Sequence, residues 1–599
     1  MAQDDRATPE DPLPEHWADE PLRVDADDEF GRDAFIATVA RRINQATSTG
    51  ASTVFGLVGP WGSGKTSVIA RVRTCLADDW SVGEFTPWST ADSTAMSLEF
   101  VSALSSALGV KVKGSLRRKL AGYAKHVVPL ASAIPLFGTG ISGSAGSVVS
   151  SLASRAPWHK EFDELSAELG ALNKRVLIVI DDVDRLTGDE LMTLLKVVRL
   201  LGRFTGVHYL IAYDQATIEE LLAAHGAVGR STKFMEKIVQ HPFEVPPISA
   251  GASLRVVKEL LHELLTSTRT SLSGIDLERA NELIGVLGGL VDTPRGLGRF
   301  REQLRSFASQ AVEAELDLLD YVAVSWLRLN AHDIWVNLHD WHTELVSGKR
   351  TVGLIDSVDI TTDEWEQRFA AASSAPPGDG TWQLLKFLFP GVPSRGLISH
   401  IDHPRAASDK AYLSRYLVLA VPEDDVSDRL IFDVVDALAG GQSSERESEL
   451  TAILDGPDPE RAYLAFQRAD RHRRDANTTS RTLIEYLADR IAARSGDEPG
   501  VGVPLNALRP WAGRELAEGL ADATITAEDV IGSFGEEESY ALLRQIIRVP
   551  IFRDRRHELA AGFADYWEQR LDTEFDALVD KHRVGSLVEL IIFARGARG

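Results

Sequence analysis

Short apolar runs alternate with segments of helical period through the first half of the chain, and the second half keeps the helical period alone. Thr53-Val-Phe-Gly-Leu-Val58, Val176-Leu-Ile-Val-Ile180 and Gly206-Val-His-Tyr-Leu-Ile-Ala-Tyr213 are rich in β-branched and aromatic residues, as strands buried on both faces of a parallel sheet are. Ser81-Val-Gly-Glu-Phe-Thr-Pro-Trp88 predicts a further short strand. Lys233 to Pro247 reads as a helix passing into an edge strand stopped by prolines. Apolar positions at helical spacing predict helices over Ala34–Asn44, from Ser67 to about Asp78, and over 94–110, 188–204, 251–268 and 276–290, with Pro294 opening another. From about 312 onward the pattern is mostly helical, for example over 313–347, 407–420, 428–439, 460–470 and 481–494, and no repeat of fixed period occurs. Strands alternating with helices predict an α/β fold built on a parallel sheet, followed by a helical C-terminal region.

The first strand runs straight into Gly59-Pro-Trp-Gly-Ser-Gly-Lys-Thr-Ser67 and then into a helix. Gly59, Gly64, Lys65 and Thr66 fit G-x-x-x-x-G-K-[ST] in the strand, loop and helix context that gives the pattern its meaning. Glycines at 59, 62 and 64 let the backbone turn its N–H groups into one concavity facing an anion, with Pro60, Trp61, Ser63 and Ser67 completing the cradle. Lys65 is placed to reach the β- and γ-phosphates, and the Thr66 hydroxyl to ligate Mg²⁺. The expected cofactors are therefore ATP and Mg²⁺.

The strand at 176–180 ends in Asp181-Asp-Val-Asp-Arg185, and acids at the carboxyl end of such a strand lie where open α/β sheets bind ligands. Asp181 is the expected Mg²⁺ ligand and Asp182 the candidate to orient or deprotonate an attacking water. Asp184 reads best as a helix N-cap. Asp214, at the end of the next strand, has two readings that the sequence leaves open: a γ-phosphate sensor or a cap. Arg295, Arg299 and Arg301 lie on the helix that Pro294 opens; one could reach the phosphates, and three together equally describe a solvated face.

Composition narrows the setting. At 599 residues, with 44% hydrophobic and 25% charged residues, the chain has the make-up of a soluble globular protein of several domains. A single cysteine, Cys75, allows no internal disulfide and suits a reducing, cytoplasmic compartment; its place behind the phosphate loop predicts burial. Residues 1–30 hold eleven acids against Arg6 and Arg23 and read as a solvated, disordered tail over 1–29, without the pattern of a signal peptide. A formal net charge of −24 disfavours nucleic acid as the main partner. His400 and His403 stand without other metal-ligand spacing and read as structural.

One segment breaks the pattern. Lys111, Lys113, Arg117, Arg118, Lys119 and Lys125 occur with no acid among them, and His126 to Ser154 carries no other charge. Basic beside uncharged is the pattern of a membrane-surface element. The phosphate loop and the Asp181 strand flank this insert and must share one side of any bilayer, so it would cross an even number of times. Two helical spans need roughly 40 residues, and the 29 from His126 to Ser154 do not suffice. A shallow interfacial hairpin around Gly138-Thr-Gly140 and a soluble excursion both remain, the former placing the protein at the inner face of the membrane.

Taken together, Gly59-Pro-Trp-Gly-Ser-Gly-Lys-Thr-Ser67, Phe85-Thr-Pro-Trp88, Ile180-Asp-Asp-Val-Asp-Arg185, Glu236-Lys-Ile-Val-Gln240 with Pro246-Pro247, and Thr293-Pro-Arg295 with Arg299-Phe300 resemble the KAP family of P-loop NTPases, in that family's order, over roughly residues 25–312. The resemblance implies an AAA-like, additional-strand ATPase core with a helical lid over 30–312. It implies a role in signalling or defence assemblies, and it leaves 313–599 with little beyond a helical expectation, in one or two subdomains. The combined expectation is a slow ATPase switch that self-associates and holds a protein partner through 313–599. The competing expectation is a nucleotide-gated scaffold recruited to a membrane surface through residues 111–154.

Overall fold

The computed structural model describes residues 28–546 and Val549, apart from 90–92, 110–115, 117, 121, 124–156, 202–203, 225–234, 273, 313–314, 353–355, 373–377, 395–399, 475, 477 and 495–501. Residues 1–27 of the acidic tail, the uncharged insert over 126–154 and residues 550–599 thus lie outside the described residues. Contacts divide the chain into two units, Met1–Ser306 with Pro377–Leu384, and Phe307–Pro376 with Leu385–Gly599.

The first unit is built on a five-stranded parallel sheet. In chain order the elements are α1 (Asp33–Asn44), β1 (Val54–Val58), α2 (Lys65–Thr74), β2 (Trp80–Phe85), α3 (Ser93–Leu108), α4 (Pro157–Gly170), β3 (Arg175–Ile180), α5 (Gly188–Leu201), β4 (Val207–Tyr213), α6 (Gln215–Ala224) and β5 (His241–Glu244). Spatially the strands run β2-β3-β4-β1-β5, so β4 is inserted between the strand that feeds the phosphate loop and the strand that ends at Asp181. That inserted strand is the additional strand which the family resemblance implied.

Alternation along the central strands explains why they are buried twice over. Val176, Ile178 and Ile180 of β3 and Tyr209 and Ile211 of β4 share one core with Phe100, Leu104, Leu165, Leu194 and Ile218 of α3 to α6. Leu177 and Val179 of β3 and Leu210 and Ala212 of β4 share another with Ile36, Val39 and Ile43 of α1 and Val68 and Val72 of α2. Successive side chains point to opposite faces, so an unbroken apolar run serves two helix layers at once. Three more helices follow, α7 (Ala250–Ser267), α8 (Ile275–Leu290) and α9 (Pro294–Val312), in the positions expected of a lid.

The second unit is largely helical, with helices that include Leu318–Asn330, Lys410–Val418, Asp428–Ala439, Pro459–Arg473, Arg481–Arg494 and Leu505–Ala521. Val434, Leu450, Phe466, Leu487, Trp511 and Leu542 belong to one of its cores. Beside it lies a buried polar cluster. Arg415 donates to Asp425 Oδ2 at 2.6 Å, Glu315 Oε2 at 2.5 Å and Asp428 Oδ1 at 3.2 Å. Arg468 pairs with Asp425 at 2.7 Å and Asp428 at 3.2 Å, and the Tyr412 hydroxyl donates to Asp428 Oδ2 at 2.6 Å.

Several expectations need correction. The helix after the phosphate loop stops at Thr74, and Cys75 behind it is exposed, not buried. The second strand ends at Phe85, where the backbone turns into a 3-10 segment over Pro87–Ser89. The C-terminal region contains an antiparallel hairpin, β6 (Lys349–Val352) with β7 (Asp356–Asp359), that helical periodicity did not suggest. No described helix is long and apolar enough to cross a membrane.

Candidate functional site

Parallel pairing brings three strand ends together. Val58 of β1 lies opposite Tyr213 of β4, and Ile211 of β4 opposite Ile180 of β3. Gly59, Asp181 and Asp214 therefore emerge at one edge of the sheet, with α2 starting beside them.

The loop after β1 takes backbone angles that side chains resist. Gly62 and Gly64 have φ of 80° and 85°, the left-handed region in which glycine carries no Cβ penalty. Gly64 is the N-cap position of α2 and offers no side-chain acceptor to its first turn. The start of α2 therefore takes no cap from its own N-cap residue, the arrangement that suits an anion at a helix N-terminus. Ser63 Oγ is buried and has no hydrogen-bond partner among the described residues. A helix start with no side-chain cap from Gly64 and an orphan hydroxyl in a glycine turn fit a phosphate group.

Lys65 folds back over this loop. Its Nζ donates to Gly59 O at 3.0 Å, Pro60 O at 3.4 Å and Asp184 Oδ2 at 3.2 Å. Thr66 Oγ1 donates to Asp181 Oδ2 at 2.8 Å. Burial, as the largest cause, holds the Asp181 carboxyl above its usual range, and the Thr66 hydrogen bond opposes that shift. A hydroxyl and a carboxylate in contact are oxygen donors of the kind that suits Mg²⁺.

Asp182 sits in the left-handed region at φ 58°, tolerable for Asp, and its carboxylate pairs with Arg185 at 3.1 Å. Asp184 is not the cap read from sequence. The cap of α5 comes from Thr187, whose N–H and hydroxyl both reach Glu190 while Glu190 N donates back to Thr187 Oγ1, a capping box. Asp184 turns inward to Lys65 instead. Asp214 combines contacts that sequence could not choose between. Its Oδ1 accepts from Ala216 N at 3.0 Å, capping α6, and its Oδ2 accepts from Trp61 N at 3.1 Å, tying the cap to the phosphate loop.

The arginines separate. Arg295 packs on the loop, with its N–H donating to Gly62 O at 3.3 Å and its guanidinium 5.2 Å from the Trp61 ring centre. Arg299 is exposed on the same helix, and Arg301 pairs with Glu29 at 3.4 Å. Arg185 lies 5.2 Å from the Trp61 ring and 5.5 Å from the Trp88 ring, so Trp88, Arg185, Trp61 and Arg295 form a chain of cation–π contacts across the site. Sequence reading missed Arg32, 7% exposed, which donates to Ser63 O at 2.5 Å and Pro246 O at 2.9 Å. The only hint was its position two residues before the helix expected over Ala34–Asn44.

In the second unit, His403 is not the isolated residue its spacing suggested. Its Nε2 lies 3.1 Å from Asp320 Oδ2 and 3.7 Å from Asp317 Oδ1, and the three donor atoms fall within 4.8 Å of one another, a spread that could hold a metal ion.

Residues 32–311 match the KAP family P-loop domain, and this segment is such a domain. The phage T7 exclusion protein of Escherichia coli (strain K12) is 25% identical over 224 residues, covering 33% of this chain and 30% of that protein; the chain thus spans under a third of that relative. Among solved structures, the Aeropyrum pernix ORC2 protein in its ADP form aligns at 13% identity over 62% of this chain and 86% of that one, with a TM-score of 0.26. The Walker-type ATPase paby2304 of Pyrococcus abyssi aligns at 11% identity over 67% and 98%, with a TM-score of 0.27. Scores at that level carry no argument about this chain.

Proposed function

We propose that the KAP family P-loop domain of this chain binds Mg²⁺-ATP and hydrolyses it slowly as the switch of a signalling or defence assembly. The observation that carries the reading is the 2.8 Å contact between Thr66 and Asp181, two residues 115 positions apart that serve one Mg²⁺ site in this reading. When bound, the metal neutralises charge developing on the transferred phosphoryl group.

The chain's own residues supply the rest. N–H groups at the start of α2 and the Lys65 ammonium hold the phosphates. Asp182 takes the role of orienting water and accepting its proton, and Arg295, already on the loop, stabilises charge from the lid side. Asp214 fixes the Trp61 peptide so that the cradle keeps its curvature. The relative named for phage exclusion supports a bacterial defence setting, with the C-terminal unit as the part that meets a second copy or a protein partner.

Steady-state ATP hydrolysis by wild type beside Lys65→Ala tests the chemistry, with loss in the variant expected. Plating of phage on cells expressing either form tests the setting: protection that requires Lys65 supports it, and equal plating on both contradicts it.

A further inference from the structure

The Lys65 ammonium has three protons, and the structure gives it three protein acceptors: Gly59 O, Pro60 O and Asp184 Oδ2. Its side chain is 9% exposed and that of Asp184 is 2% exposed. These three acceptors match the three protons of the ammonium, so phosphate would bind Lys65 in exchange for one of them. Lys65 is also the only side-chain partner of Asp184 among the described residues.

We propose that Asp184 latches Lys65 in the nucleotide-free protein, and that phosphate binds by taking the ammonium from it. The proposal rests on the nucleotide-binding reading above and adds a regulation of the same site. A buried carboxylate stripped of its counter-ion is costly, so the turn that carries Asp184 adjusts when Lys65 leaves. That turn is the 3-10 segment Val183–Arg185. It starts from Asp182, and it ends in Arg185, which pairs with Asp182 at 3.1 Å and stacks on Trp61. Arrival of phosphate at Lys65 is thereby coupled to Asp182, which has the water-orienting role in the reading above, and to the aromatic side chain of the phosphate loop. Asp184 acts here as a positioning residue, through Lys65, and touches no substrate.

The latched form is the one that binds phosphate poorly, and apparent affinity falls in proportion to the fraction of protein that is latched. Removing the latch therefore tightens binding. MgADP is titrated calorimetrically into wild type, Asp184→Asn and Asp184→Ala, with circular dichroism confirming the fold of each. The expected result is a Kd at least about tenfold lower in a folded Asp184 variant. A second readout is the thermal midpoint without nucleotide in a double-mutant cycle with Lys65→Met: the effect of Asp184→Asn seen in wild type disappears when Lys65 is absent. An Asp184 that acts independently of Lys65 would change the midpoint equally in both backgrounds, and the gain in MgADP affinity is what separates a latch from a static ion pair. Unchanged or weaker MgADP binding in both Asp184 variants, with wild type binding normally, overturns the latch alone. Failure of wild type to bind MgADP overturns the nucleotide reading on which the latch depends.

Discussion

Thr66 and Asp181 meet through a 2.8 Å hydrogen bond, although one opens the helix after β1 and the other ends β3, two strands away in the sheet. The hydroxyl proton satisfies the carboxylate, and these two oxygens would hold Mg²⁺ in the proposed site. Thr66→Ala and Asp181→Asn should each weaken MgADP binding by about tenfold or more while leaving metal-free ADP binding within about twofold. Calorimetric titration with and without Mg²⁺ measures the difference.

The lid arginines should separate in the same way that they do in the structure. Arg295 lies against Gly62 and Trp61, whereas Arg299 is exposed one turn further along α9. Arg295→Ala should lower kcat/KM for ATP about tenfold or more, and Arg299→Ala should stay within about twofold. Equal losses in the two variants would remove Arg295 from its proposed role.

How much of this was legible in the sequence depends on the range of the interaction. The phosphate loop, the β3 acids and the strand-helix alternation are local patterns, and the helices at 428–439 and 481–494 were found at their observed bounds. Asp184 was misread because an acid just before a helix satisfies the local rule for a cap, whereas its real partner, Lys65, is 119 residues earlier. Arg32 was missed because its acceptors are the carbonyls of Ser63 and Pro246, and a backbone acceptor leaves no signature in side-chain spacing. Asp214 looked like a choice between two roles because sequence assigns one job per residue, and a carboxylate has two oxygens. The β6–β7 hairpin is a short exposed pair in a helical region, too brief for period-two alternation to stand out.

Stability of the second unit should be sensitive to Arg415. This side chain is fully buried and holds Glu315, Asp425 and Asp428. Arg415→Met keeps most of the volume but leaves Asp425 and Asp428 with Arg468 alone among the arginines of the cluster and takes away the Arg415 partner of Glu315. The expected cost is about 3–5 kcal/mol, read from denaturant unfolding, with faster proteolysis of the region around residues 410–430. An unchanged midpoint would mean that the cluster is better solvated than it looks.

His208 should make the first unit acid-sensitive. Its Nδ1 accepts from Thr53 N at 3.2 Å, its Nε2 lies 3.2 Å from Thr47 O, and burial holds its pKa below the ordinary histidine value of 6.5. The folded state keeps the ring neutral while the unfolded chain takes up a proton as pH falls through that value. The stabilisation is complete above the unfolded pKa and is lost as pH falls from there toward the lowered folded pKa, at no more than about 1.4 kcal/mol per pH unit for one proton. Unfolding free energies at pH 7.5 and 5.5, for wild type and His208→Asn, should show a smaller acid loss in the variant.

The central claim is an ATP site in which Lys65 binds and Asp182 turns over. Its most direct test is steady-state ATP hydrolysis together with equilibrium MgATP binding, for wild type, Lys65→Ala and Asp182→Ala. The account predicts hydrolysis by wild type alone, MgATP retained without turnover by Asp182→Ala, and neither binding nor turnover by Lys65→Ala. Hydrolysis at the wild-type rate in Lys65→Ala would contradict it.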